Sequence, residues 1–157
     1  MVKITRSNVR IKRNRKVIEF DDPNLISLQE ILNTTLHHIE DLDYYVEKIN
    51  YLLDNWTNID QIVDQKYGGY WDGYTLMLNK ATGRWFSFFG FDSGSNVYID
   101  VNHQNLYVDH EYFPTTPPLE LTLLGFKELL EQWREIQAEK ITLKDRIFAA
   151  LRLTQAL

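Results

Sequence analysis

Between Leu25 and Trp56 the apolar positions recur at spacings that alternate three and four: Leu25, Leu28, Leu32, Ile39, Leu42, Val46, Ile49, Leu53 and Trp56, with Thr35 the polar member of the series. Ile59 and Val63 carry the stripe further, and no Pro or Gly interrupts 24–67. That periodicity predicts helix over 24–66. Its start is marked by Asp21-Asp22-Pro23-Asn24, where acids suit the positive end of a helix and Asn24 is a candidate N-cap. An unbroken helix over 24–56 would be about 50 Å long at roughly 1.5 Å per residue. The expectation is therefore one long helix, or a helical hairpin broken near Thr34–His38 or near Asn55–Asn58. The stripe serves equally as a core-facing seam or as the contact of a homodimer.

Gly68-Gly69 ends that region and the period shortens to two. Tyr74–Leu78 and Arg84–Phe91 flank Asn79-Lys80-Ala81-Thr82-Gly83, which reads as a hairpin loop with Gly83 in a left-handed position. Val97–Val101 and Leu106–Asp109 follow, separated by turn-rich Asp92–Asn96 and Asn102–Asn105. Four short strands joined this way predict an antiparallel meander over 70–113, with Trp85, Ser87 and Phe89 on one face and Phe86, Phe88 and Gly90 on the other. Pro114, Pro117 and Pro118 read as a rigid connector that ends the sheet. Beyond it, Thr122 is placed to cap a helix bearing Leu123, Phe126, Leu129, Leu130, Trp133 and Ile136, and Thr142 to cap a last one bearing Ile147, Phe148, Leu151 and Leu153. The fold class is α+β in a single domain over 1–157: a basic arm or edge hairpin (1–20), a helical segment (24–66), a sheet (70–113) and C-terminal helices (121–156).

Charge sharpens this picture. The net charge is −5, yet residues 1–16 hold seven Lys and Arg and no acid, so the remaining ten face all 22 acids and 17–157 sum to −12. A basic arm thus joins an acidic body that favours a cationic partner. With no cysteine, disulfides, thiolate metal sites and Cys nucleophiles are excluded. No apolar run reaches the roughly 18–20 residues of a membrane span, and the N-terminus lacks a secretory pattern, so the expectation is a cytoplasmic protein with no membrane partner.

Catalytic signatures are missing: there is no phosphate-binding glycine loop and no nucleophile elbow. His37 and His38 with Asp41 read as solvated helix residues, so no metal or cofactor is implied. His103 and His110, near Asp100, Asp109 and Glu111, offer at most an acid–base pair at strand ends. The expectation is binding and not catalysis. Residues 40–47 place Asp41, Asp43, Tyr44 and Glu47 within about two helical turns. Residues 67–74 add Tyr70, Trp71 and Asp72 in an aromatic, acidic loop. Tyrosine and tryptophan are favoured interface anchors, and beside carboxylates they suit a cationic protein surface. Asp109 and Glu111 are further candidates. A competing reading gives Lys12, Arg13, Arg15 and Lys16 to nucleic-acid phosphates, although no aromatic lies among them, or folds the arm onto the acidic body.

Trp71-Asp72-Gly73-Tyr74, Gly83-Arg84-Trp85-Phe86, Val108-Asp109 and the 121–133 helix together resemble small bacterial immunity proteins of polymorphic and contact-dependent toxin systems, over about residues 70–135. The resemblance lies in style of layout and carries over no catalytic residue. It implies a cytoplasmic, often acidic protein that covers the active site of a cognate toxin, commonly a basic nuclease.

Overall fold

The computed structural model describes residues 2–75, 80–89, 95–110, 113 and 115–156; for 71–75, 80–83, 95, 96 and 152–156 the description extends to the backbone only. The chain begins with a hairpin, β1 (Val9–Lys12) and β2 (Arg15–Ile18). Three helices follow: α1 (Ile26–Asn33), α2 (Ile39–Asp54) and α3 (Ile59–Lys66). A five-stranded antiparallel sheet runs in sequence order through β3 (Trp71–Thr75), β4 (Lys80–Ser87), β5 (Ser95–Asp100), β6 (Asn105–His110) and β7 (Leu119–Thr122). Helices α4 (Leu123–Ala138) and α5 (Leu143–Ala156) end it. This is an α+β arrangement with an antiparallel meander, and among the described residues no helix is long and apolar enough to cross a membrane.

The apolar stripe breaks at both of the places the sequence offered, so the segment is three helices, neither one nor two. Around the first break, Trp133 of α4 is fully buried and its indole N–H donates to the carbonyls of Leu32 and Leu36, at 3.1 and 3.0 Å. Carbonyls freed where a helix stops need such partners. At the second break the Asn55 side-chain amide donates to the Tyr51 carbonyl at 2.9 Å before a short 3-10 turn, Trp56–Asn58. Folded back this way, Leu28, Leu32, Leu42, Ile49 and Val63 all reach one core with no exposure. The helical start is capped by Asp22, whose carboxylate accepts from Asn24 N at 2.9 Å; Asn24 itself lies inside the opening 3-10 turn.

The sheet presents Phe86, Phe88, Val97, Ile99, Leu106 and Val108 to that core, against Phe126, Leu129 and Leu130 of α4. Trp85, Tyr98 and Tyr107 form a separate cluster on the opposite face, so Trp85 and Phe86 alternate as the sequence predicts. Phe89 does not follow, because beyond the end of β4 its ring packs with Phe88 against Tyr45 on the core side, and Gly90 lies outside the described residues. Two boundaries shift. Lys80–Gly83 belong to β4, with Thr75 opposite Lys80 and Gly73 opposite Thr82, so Gly83 is in the strand and not in a loop; residues 76–79 lie outside the described residues. The proline connector does not end the sheet, because β7 returns along β6 with Leu121 opposite Leu106. Thr122 then closes β7 and caps α4, accepting from Gly125 N at 2.9 Å.

The basic arm is an ordered hairpin folded onto the body. Arg13 and Asn14 take φ of 52° and 63°, the left-handed pair a two-residue turn requires. Asn33 of α1 closes the outer edge of β2 by mimicking a strand: its side chain accepts from Ile18 N and donates to Ile18 O, both at 2.8 Å.

Candidate functional site

Helix α2 is amphipathic because its stripe faces the core, and the same periodicity lines up its outward residues. Glu40, Tyr44, Glu47, Tyr51 and Asp54 recur at alternating spacings of four and three, and all five are exposed. Carboxylate and tyrosine therefore alternate down one face. The two rings are unusually open for their size, Tyr44 at 60% and Tyr51 at 42%. Cations of the protein already rest beside this row. Arg134 of α4 donates to Asp43 through Nε at 2.9 Å and Nη2 at 3.5 Å, and Lys66 of α3 lies 4.2 Å from the centre of the Tyr51 ring.

The inward residues of the same helix build the support. Tyr45 packs edge-on against Phe89 at 4.9 Å and tilted against Phe88 at 5.3 Å, and burial raises its hydroxyl pKa. Lys48 donates to the Phe88 carbonyl at 2.7 Å, with its ammonium 5.5, 4.7 and 4.9 Å from the Tyr45, Tyr67 and Phe88 rings. Desolvation pulls its pKa down to about 8. Tyr67 reaches Phe86 at 4.7 Å, and Phe86 meets Tyr70 at 6.4 Å. Burial pushes the Tyr67 hydroxyl well above its ordinary range. A continuous aromatic chain with Lys48 at its middle thus ties the Tyr44 region to Tyr70.

Tyr70 is partly spoken for. Its hydroxyl donates to Asp60 at 2.7 Å, and Arg84 pairs with the same carboxylate while lying 5.0 Å from the Tyr70 ring. Burial, then the bond to Asp60, raises the Tyr70 pKa. Asp41 is half-buried, whereas Asp43 and Glu47 are exposed. The side chains of Trp71 and Asp72, and the whole of Glu111, lie outside the described residues. Asp109 stands apart: it shares the Tyr107 side of β6, away from the helical layer, and accepts from His110 N at 2.9 Å. Burial raises its carboxyl pKa.

The sequence reading missed Tyr51, Lys48, Lys66, Arg84 and Arg134. Tyr51 was findable, seven residues beyond Tyr44 on the same helix face; the rest come from elements that only folding brings near. The arm residues are largely committed within the fold. Lys12 pairs with Glu19, Arg15 donates to the Asn33 carbonyl at 3.2 Å, and Lys16 is buried with its ammonium on the Ile136 and Glu139 carbonyls that close α4. Arg13, in the turn, makes no ion pair among the described residues. His103 does meet an acid, Nδ1 lying 2.8 Å from the buried Asp100, whose other oxygen accepts from Asn102 N at 3.0 Å in the β5–β6 turn. Compared with known proteins, the chain matches no family model, no curated protein and no solved structure.

Proposed function

We propose that this protein is an immunity- or antitoxin-like binding protein, whose α2 face docks on a cationic toxin domain and sterically covers its active site. The observation that carries the reading is the exposed alternation of Glu40, Tyr44, Glu47, Tyr51 and Asp54 along one helix face. Tyrosine gives large rigid contact area with a hydrogen-bonding tip, and the flanking carboxylates steer a cationic surface toward it and set its orientation. Arg134 on Asp43 and Lys66 over Tyr51 use, within the molecule, the two contacts such a partner would make. The aromatic chain behind the row fixes the helix against the sheet, so little ordering is needed on binding.

The test is a growth assay joined to a kinetic one. Bacteria expressing a cationic nuclease toxin encoded beside this chain's gene survive when the chain is co-expressed. The Glu40→Lys/Tyr44→Ala/Glu47→Lys variant, folded by circular dichroism, associates at least about ten-fold more slowly and protects poorly. Full protection by that variant removes α2 as the contact, and no protection by the native chain removes the neutralising role.

A further inference from the structure

The two outer edges of the N-terminal hairpin are treated differently. In β2 the outward backbone groups of Ile18 are both taken by Asn33. In β1 the register fixes which groups face out: Lys12 stands opposite Arg15 across the two-residue turn, and Glu19 N donates to Asn8 O at 2.8 Å. Asn8, Arg10 and Lys12 therefore bond inward, which leaves the N–H and C=O of Val9 and Ile11 pointing away from β2, the Val9 carbonyl accepting from Arg10 Nη1 at 3.2 Å. Along that edge lies a groove of about 600 Å³, lined by every residue of β1 and by Ile136, Phe148 and Ala149. Helix α5 forms its far wall and leaves Phe148 51% exposed.

Arg6, Arg10, Lys12 and Lys16 line the groove with Glu19, Glu139 and Asp145, so its lining carries a net charge of +1 on a chain of net −5. Glu19 serves two cations at once, Arg10 at 3.6 Å and Lys12, so their combined charge exceeds what it neutralises. The Arg6–Glu139 pair at 2.9 Å is largely exposed, a kind of pair weak enough to exchange partners. We infer that the β1 edge is a docking site for an extended peptide segment of a partner protein in which acidic and apolar residues alternate. The peptide adds as a strand, its main chain pairing with Ile11 and, as Arg10 turns from the Val9 carbonyl to a peptide carboxylate, with Val9. Its apolar side chains drop between Ile11, Ile136 and Phe148, and its carboxylates meet Arg6, Arg10 and Lys12. A second copy of β1 is disfavoured at this edge, because two equally basic strands would lie side by side. This surface is separate from the α2 row, so either reading can fail alone.

The probe is a capped eight-residue peptide of alternating glutamate and valine, titrated into the isotopically labelled full chain. The expected result is saturable binding with shifts and slowed amide exchange at Val9 and Ile11, weakened as salt rises. Phe148→Glu, an exposed change that leaves the core alone, should weaken binding at least about ten-fold through a lost contact and a new like charge. Ile11→Pro, which removes one outward N–H, should weaken it as well, and the proline variant's circular dichroism reports whether the hairpin persists. Equal binding of a lysine–valine peptide, or binding indifferent to Phe148→Glu, overturns the inference. So does failure of the acidic peptide alongside capture by phosphatidylglycerol vesicles, which would give this face to an anionic membrane.

Discussion

Lys48 is the residue whose environment departs most from its type, an ammonium among three rings with one carbonyl acceptor. Its pKa of about 8 in the fold lies below the 10.5 of the free side chain, so the unfolded chain holds this proton more tightly. The contribution to stability therefore rises as pH climbs from about 8 to about 10.5 and is flat below that window. A side-chain NMR titration should place the Lys48 midpoint near 8, and Lys48→Met should erase the rise; a midpoint at 10.5 contradicts the cage. Trp133 offers a second test. Trp133→Phe keeps most of the ring but strands the Leu32 and Leu36 carbonyls, and urea denaturation should show a loss of about 1–3 kcal/mol. Lys16→Met should lose a similar amount, because the methionine cannot reach the carbonyls that end α4 as a donor. None of this was legible in the sequence. Lys48 reads there as an ordinary outward lysine after two tyrosines, Trp133 as one more apolar position in α4, and Lys16 as one of seven arm cations.

Elements were more legible than their ends. The stripe over Leu25–Trp56 named the core positions, and Thr34–His38 and Asn55–Asn58 were marked as breaks, yet the number of helices depended on Trp133, 97 residues beyond Leu36. Strand β7 was hidden because it has four residues behind two prolines and its last, Thr122, also carries a cap signal. The cap itself was readable, and it makes a prediction at this scale. A Cβ on Gly125 would sit 2.8 Å from the Thr122 hydroxyl, which must rotate away and drop its bond. Gly125→Ala should thus be about 1 kcal/mol less favourable in the native background than beside Thr122→Ala, where the gain in helix propensity stands alone. Additive effects in that double-mutant cycle would show that the hydroxyl does not hold the helix start. Of the candidate contacts, the α2 group was legible since helical spacing alone gathers Tyr44 and Glu47; Asp109 was not, because which sheet face it takes depends on strand pairing.

On the scale of the whole molecule, the sequence disclosed a basic arm and an acidic body but not their relation. Folding turns the arm into a hairpin that closes the end of α4 through Lys16, and it gathers Arg6, Arg10, Lys12 and Lys16 along one groove. The acidic helix face and the basic edge strand are then two surfaces of opposite sign suited to different partners. Charge reversal at Glu40 and Glu47 should leave the edge-strand peptide bound, and Phe148→Glu should leave toxin neutralisation intact; cross-talk in either direction would merge the two sites. That segregation of sign also bears on handling. With a pI near 5.3 the protein should bind an anion exchanger at neutral pH, yet the groove should hold it on a cation-exchange resin at low salt as well. Neutralising Arg6, Arg10 and Lys12 to glutamine should release it from the second column and leave it on the first, so that a routine purification step reads out how far the charge is divided.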